Sequence, residues 1–453
     1  MEEKNSLDIF SSASVPKAVL KNAVPAIGAM LMVLVYNLAD TFFISQTHDD
    51  IQVVAISLAT PVFLLFMAVG TIFGIGGTSV ISRSMGKGNR EYAKKVCSFC
   101  MWSCVFAGIL MALFMGVFMD NILALIGASN DTWAGAKSYL MIAIWCGPFV
   151  LIANCYSNIL RAEGQSNKAM MGMVIGNLLN VILDPVMILI FKWNIAGAAI
   201  ATVICNIAGA VYYILYFIRG NSMLSISIKD FTLKERVCRS VLSIGIPASL
   251  GSILMSISNI IMNSQMTDYG DMALAGIGVA MKVTMITGMI CIGFGQGVQP
   301  LLGFCVGAKA WDRYEKVMKF SVWFSIIAGV LLTVFCYIFL DGIINIFLTD
   351  KAAFDYGVEF AKILLSTSSL FGIFYVLTNA LQAMGASAPS LIVNVSRQGL
   401  IYIPSLFILK ALVGMTGLVW AQPVADVLSL TIAFVLYMKA LKSYESENLK
   451  GEK

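Results

Sequence analysis

Apolar residues in this chain gather in long, nearly unbroken runs, and polar residues gather in the short segments between them. The first run is about Val24 to Ile44, and comparable runs follow to the C-terminal end. A helix needs about 20 apolar residues to cross the hydrocarbon core of a bilayer. The pattern predicts spanning helices over 24–46, 52–82, 93–118, 136–158, 168–191 and 195–218, then 240–266, 273–305, 315–340, 357–383, 390–410 and 415–439. Several are longer than the core demands, which implies tilt or extension past it. The stretch before the first run carries Glu2, Glu3, Lys4, Lys17 and Lys21 and has no small-residue cleavage site, so it does not read as a signal peptide.

The second half repeats the first. Asn22–Asn37 matches Ser243–Asn259 with Pro25 against Pro247; Ser84–Val96 matches Cys305–Val317; Asn158–Met170 matches Asn379–Leu391; and Pro185 pairs with Pro404. An even number of helices per copy leaves both copies in the same orientation, so the expected fold is an all-α integral membrane protein of twelve transmembrane helices. Its two six-helix lobes are related by a pseudo-two-fold axis along the membrane normal. The expected boundaries are 1–219 for the first lobe, 220–239 for a polar linker, 240–439 for the second lobe and 440–453 for a tail. Lys and Arg cluster in alternate loops (Arg83, Lys87, Arg90, Lys94 and Lys95; Arg219 to Arg239; Lys309 to Lys319), whereas Asp49, Asp120, Asp268, Asp341 and Asp350 mark the others. The positive-inside rule then places both termini in the cytoplasm. Such repeats are typical of alternating-access transporters, with substrate held between the halves.

Composition narrows the picture further. The chain is 59% hydrophobic and 12% charged, whereas soluble domains carry about 25% charged residues. Its net charge of +5 reflects the basic loops and implies no nucleic-acid partner. Most of the ten cysteines lie inside apolar runs, and Cys97 and Cys100 form a lone C-x-x-C, so neither zinc nor disulfides are expected. The single histidine, His48, sits in a short polar loop and reads as solvated. There is no phosphate-binding G-x-x-x-x-G-K-[ST] loop, no cofactor is expected, and no nucleophile–base pair suggests an enzyme. The 26 methionines and 27 phenylalanines suit a plastic apolar cavity. A monomer in the lipid bilayer is expected.

Charges at membrane depth are costly and therefore informative. Five stand out: Asp40, Asp184, Lys282, Arg397 and Asp426. Tyr36, Asn37, Asp40 and Thr41 share one face of the first helix; Asn177, Asn180 and Asp184 share one face of the fifth; Thr202 and Asn206 share one face of the sixth. These stripes could converge on a polar pocket that exchanges a proton or holds Na⁺ through hard oxygen ligands, or they could form a structural hydrogen-bond network. Pro185 beside Asp184 removes one backbone bond and invites a kink in the fifth helix, the alternative being an ordinary tolerated membrane proline. The second lobe has no carboxylate matching Asp40 (Asn259 and Asn263 stand there), and Ile403 precedes Pro404 where Asp184 precedes Pro185. Asp426 is expected to form a salt bridge with Lys282 or Arg397, so coupling is assigned to the first lobe.

Four stretches carry a family resemblance: "NLADTFFI" around Asp40, "GGTSVISRSMGKGN" (Gly76–Asn89), "ILRAEGQSNKAM" and "NLLNVILDPVMI". Over nearly its whole length the chain resembles the bacterial multidrug and toxic compound extrusion (MATE) transporters, and its first-lobe pattern is similar to the DinF-like branch. The resemblance implies a plasma-membrane antiporter that exports cationic amphipathic drugs and dyes in exchange for H⁺ or Na⁺. It also implies a cation or proton site at Asp40, Asn180, Asp184 and Thr202; from the polar stripes themselves, Asn37 is read as supporting that site, with Tyr36, Asn177 and Asn206 as further supporting candidates. The rival within the wider superfamily is a lipid-linked oligosaccharide flippase, which would need a strongly basic cavity for a pyrophosphate.

Overall fold

The computed structural model describes residues 9–45, 58–126, 128–191, 193–220, 222–234, 236–348 and 350–451. Among them there is no strand, and twelve helical stretches are long and apolar enough to cross a membrane. They are α1 Val15–Asn37, α2 Thr60–Gly86, α3 Arg90–Val117, α4 Thr132–Ala162, α5 Ser166–Ile188, α6 Ile195–Ile218, α7 Val237–Tyr269, α8 Asp271–Gly307, α9 Trp311–Ile338, α10 Lys351–Met384, α11 Ser387–Val413 and α12 Met415–Tyr444. Each expected helix is present. The helix of α1 runs on to Ser45 and starts at Val15, earlier than position 24, because Ala18, Val19 and Ala23 are buried while Lys17 and Lys21 face outward. The expected start of the second helix at 52, and His48, Asp49 and Asp50, fall outside the described residues.

Four spans are interrupted or widened within their length, and α7 closes on a 3₁₀ turn at Thr267–Tyr269. A 3₁₀ turn at Ile144–Cys146 divides α4 just before Pro148, and another at Ser368–Leu370 divides α10. Helices α5 and α11 each widen into a π turn, at Val186–Ile190 and Ser396–Leu400. In these turns the Phe191 N–H donates to the Val186 carbonyl at 2.9 Å, and the Ile401 N–H donates to the Ser396 carbonyl at 3.0 Å. Pro185 lacks an N–H and crowds the preceding turn, which favours local widening. The expected kink beside Asp184 is thus a π turn. The two turns fall differently in the repeats, one after Pro185 and the other before Pro404.

The chain packs as two compact units. The first is chiefly Gly28–Gly245; the second combines Ala13–Ile27 with Ile246–Lys453. The opening of α1 therefore packs in the second unit, and the opening of α7 packs in the first. Glycines make both contacts. A methyl at Gly76 of α2 would overlap the Val241 carbonyl, and one at Gly245 would overlap the Ile72 carbonyl. In the second unit, a methyl at Gly297 of α8 would stand 2.5 Å from the Ala23 Cα, and one at Gly293 would stand 2.8 Å from the Ile27 Cα. Small residues in helices permit such close backbone approach. The repeat extends to turn geometry: Gly164 and Gly385 both have φ 80°, while Gly88 (φ 75°) is matched by Lys309 (φ 55°).

Within the first unit the linker is strapped to α3 and to the α4–α5 turn. Ser98 Oγ donates to the Ser227 carbonyl at 2.7 Å, Trp102 Nε1 donates to the Ile226 carbonyl at 3.2 Å, and the Phe99 and Phe231 rings stack at 6.1 Å. Glu163, 1% exposed, accepts from Ser222 Oγ at 2.8 Å and from the Met223 N–H.

Candidate functional site

In α5 a stripe at i, i+4 spacing runs Gly172, Gly176, Asn180, Asp184. It faces α6. A methyl at Gly172 would overlap the Tyr213 ring, and one at Gly176 would stand 3.2 Å from the Cys205 carbonyl oxygen. The Tyr213 hydroxyl donates to the Ala169 carbonyl at 2.7 Å, which pins the two helices at that end. The small residues close the gap between helices, and the polar residues continue the same line into it. Asn180 is 3% exposed and Asp184 1%. Cys205 of α6 lies beside the Asn180 side chain and the Asp184 carboxylate. The Asn180 side-chain oxygen is buried and makes no hydrogen bond among the described residues.

The other first-lobe candidates are arranged less tightly. Thr202 is half-buried and its hydroxyl donates to its own helix at the Ala198 carbonyl (3.0 Å), which leaves its lone pairs as acceptors. The Asn206 amide donates to the Thr202 carbonyl at 2.8 Å. Asn37 is exposed and donates to the Val33 carbonyl at 2.9 Å. Tyr36 and Asn177 are half-buried. Asp40 and Thr41 lie within the helix of α1, but their side chains fall outside the described residues. The structure therefore brings together Asn180, Asp184 and Cys205; it does not put Asn37 or Asn206 into that contact. Asn180, Asp184 and Thr202 supply oxygens suited to a small hard cation, and among the described residues no group of three or more His, Cys, Asp or Glu could hold a metal.

The second unit holds a denser cluster. Arg397, on the π turn of α11, donates from Nε to Asp426 Oδ1 of α12 at 2.8 Å and from Nη1 to the Tyr375 hydroxyl at 3.0 Å. Asp426 also accepts from Thr367 Oγ1 (3.0 Å) and from Gln422 Nε2 (2.9 Å). The guanidinium carbon lies 4.7 Å from the Phe371 ring centre, 4.9 Å from Phe374 and 5.4 Å from Tyr375. Arg397 is 7% exposed and Asp426 3%. Of the two bases proposed for Asp426, Arg397 is the partner; Lys282 is half-buried elsewhere, 5.3 Å from the Phe347 ring centre. The Gln398 carbonyl accepts from Ser258 Oγ of α7, which holds the widened turn in place.

Arg161, near the end of α4, is 1% exposed and points inward, donating from Nη1 to Asn158 Oδ1 at 3.2 Å and from Nη2 toward Met173 Sδ at 3.7 Å. Glu163 is equally buried. Neither has a distinctive sequence signal, because a base near a helix end fits the cytoplasmic belt equally well.

A twofold-repeated helical bundle with acid and amide side chains buried among apolar spans defines a multi-pass membrane transporter, and not an enzyme. The MatE family model matches residues 25–186 and 247–408, one match per repeat, and the chain belongs to that family. The multidrug export protein MepA of Staphylococcus aureus (strain NCTC 8325) is 32% identical over 433 residues, which cover 95% of each chain. Its counterpart in Staphylococcus saprophyticus is 28% identical over 431 residues, again 95% of each. Among solved structures, a MATE protein in complex with MaL6 superposes with TM-score 0.93 at 21% identity, covering 97% of this chain and 99% of the other. An outward-facing multidrug resistance MATE transporter gives TM-score 0.92 at 21% identity, covering 97% and 98%.

Proposed function

We propose that this chain is a multidrug efflux antiporter of the bacterial plasma membrane, exporting cationic amphipathic drugs and dyes by alternating access in exchange for H⁺ or Na⁺. The observation that carries the reading is the Asn180–Asp184 pair, buried at the polar end of the α5–α6 stripe. A buried carboxylate at membrane depth can exchange a proton or help hold a cation, and either role suits an exchange site. The identity with multidrug export proteins over nearly the whole chain supports the drug substrates. We assign Asp40 and Asp184 as the exchanging carboxylates, with Asn180, Thr202 and Asn37 in support. We read residues 1–219 and 240–439 as the two repeat lobes of a monomer, and both termini as cytoplasmic.

The flippase alternative needs uncommitted bases for a pyrophosphate. Arg397 is committed to Asp426, which weighs against it.

The test is dye efflux from everted vesicles, with a pH gradient and a Na⁺ gradient imposed separately. Wild-type protein is expected to move ethidium under one of them. Asp40→Asn and Asp184→Asn are expected to abolish that movement at unchanged membrane levels. Efflux at the wild-type rate in both variants removes the coupling assignment.

A further inference from the structure

Three aromatic rings of α10 and one carboxylate of α12 surround a single cationic group, and that group belongs to the protein itself. Rings stacked about a desolvated cation, with an acid at hand, are the chemistry by which proteins recognise alkylammonium and guanidinium ligands. Apart from the hydrogen bonds that Arg397 donates to Asp426 and to the Tyr375 hydroxyl, the cage offers ring faces and a negative charge to any cation of similar size. Asp426 is held by Thr367 and Gln422 independently of Arg397, so the carboxylate would keep its place if the guanidinium left. Arg397 sits on the π turn of α11, where the ladder has already slipped by one residue. A π turn can return to α-helical register, which rotates its side chains about the helix axis, and such turns are common at functional sites.

We propose that Phe371, Phe374, Tyr375 and Asp426 form an organic-cation site in the second unit, and that Arg397 is its built-in occupant, displaced when a cationic substrate enters. The ligand class is a compact quaternary ammonium, amidinium or guanidinium head on an apolar body. Its identity as a transported substrate rests on the efflux reading above; the site itself does not. While the site is vacant of substrate, Arg397 neutralises Asp426, which avoids an uncompensated buried charge. When a substrate cation takes that place, the displaced guanidinium is freed to signal occupancy through α11.

The experiment uses purified full-length protein and two probes. Ethylguanidinium, which replaces the deleted side chain, is titrated calorimetrically into wild type, Arg397→Ala and the double variant Arg397→Ala/Asp426→Asn. Binding to Arg397→Ala at least about tenfold tighter than to the other two is expected, the scale of a desolvated cation–π and ion-pair contact. Equal binding to all three overturns the site. Ethidium binding at equilibrium, with no gradient imposed, is then expected to tighten about tenfold in Arg397→Ala and to return to the wild-type value or weaker in the double variant. Phe374→Leu keeps the ion pair and serves if Arg397→Ala does not fold; it is expected to weaken ethidium several-fold, and unchanged affinity counts against the proposal. If wild type exports ethidium while no cage substitution alters its binding, the cage inference alone fails. If wild type neither binds nor exports ethidium while Arg397→Ala takes ethylguanidinium, the cage stands and the efflux reading fails.

Discussion

Asn180 and Asp184 were legible because two polar residues one turn apart interrupt an otherwise apolar run, and burying either without purpose is costly. Their neighbour Cys205 was not legible. A cysteine in such a run has the hydropathy of a packing residue, and only the α5–α6 approach reveals that it lies beside Asn180. Cys205→Val is expected to remove a polar neighbour of Asn180. That should weaken the coupling ion's apparent affinity several-fold without changing protein levels, as read from dye efflux against the size of the imposed gradient. Unchanged affinity would mark Cys205 as filler. Arg161 and Glu163 show the same limit: a base and an acid beside a turn can face water or the interior, and tertiary packing decides.

At the scale of elements, glycines paired at i, i+4 spacing (Gly70 and Gly74, Gly172 and Gly176, Gly293 and Gly297) all meet another helix, as small residues at that spacing allow. Their partners were beyond the reach of local pattern, because spacing along one helix does not say which helix comes close. Gly172→Ala drives a methyl into the Tyr213 ring and is expected to cost about 1–3 kcal/mol, seen as a lower melting temperature on size-exclusion chromatography. The π turns were only half legible: Pro185 stands immediately before the turn in α5, whereas Val395 stands immediately before the turn at Ser396–Leu400. Pro185→Ala restores an N–H. We expect it to slow hydrogen exchange over 186–190, raise the melting temperature and lower the efflux rate. A variant that is stabilised yet transports normally would separate the widened turn from transport.

For the whole molecule, length, composition and self-similarity suffice to reveal twelve spans in two copies, because the bilayer imposes a single solution on each apolar run. How the linker is held was not legible, since a polar stretch reads as a tether. Glu163 instead accepts from Ser222 and Met223, and the segment beyond lies along α3. Charged hydrogen bonds of this kind contribute about 1.5–3 kcal/mol each. Glu163→Ala should therefore speed tryptic cleavage at Lys229 and Lys234 by about tenfold or more, as followed by gel electrophoresis, whereas an unchanged rate would mean the strap holds without it. The openings of α1 and α7 carry a further consequence. Each of these segments leaves the half it precedes in sequence and is buried in the other unit through glycine contacts. A gene cut within the linker would yield two polypeptides, each missing a piece of its own core and carrying its sibling's. Neither fragment should survive in cells alone, and both should be rescued by simultaneous synthesis. Each half thus needs the other present, whether or not they share a chain, even where their chemistry has diverged.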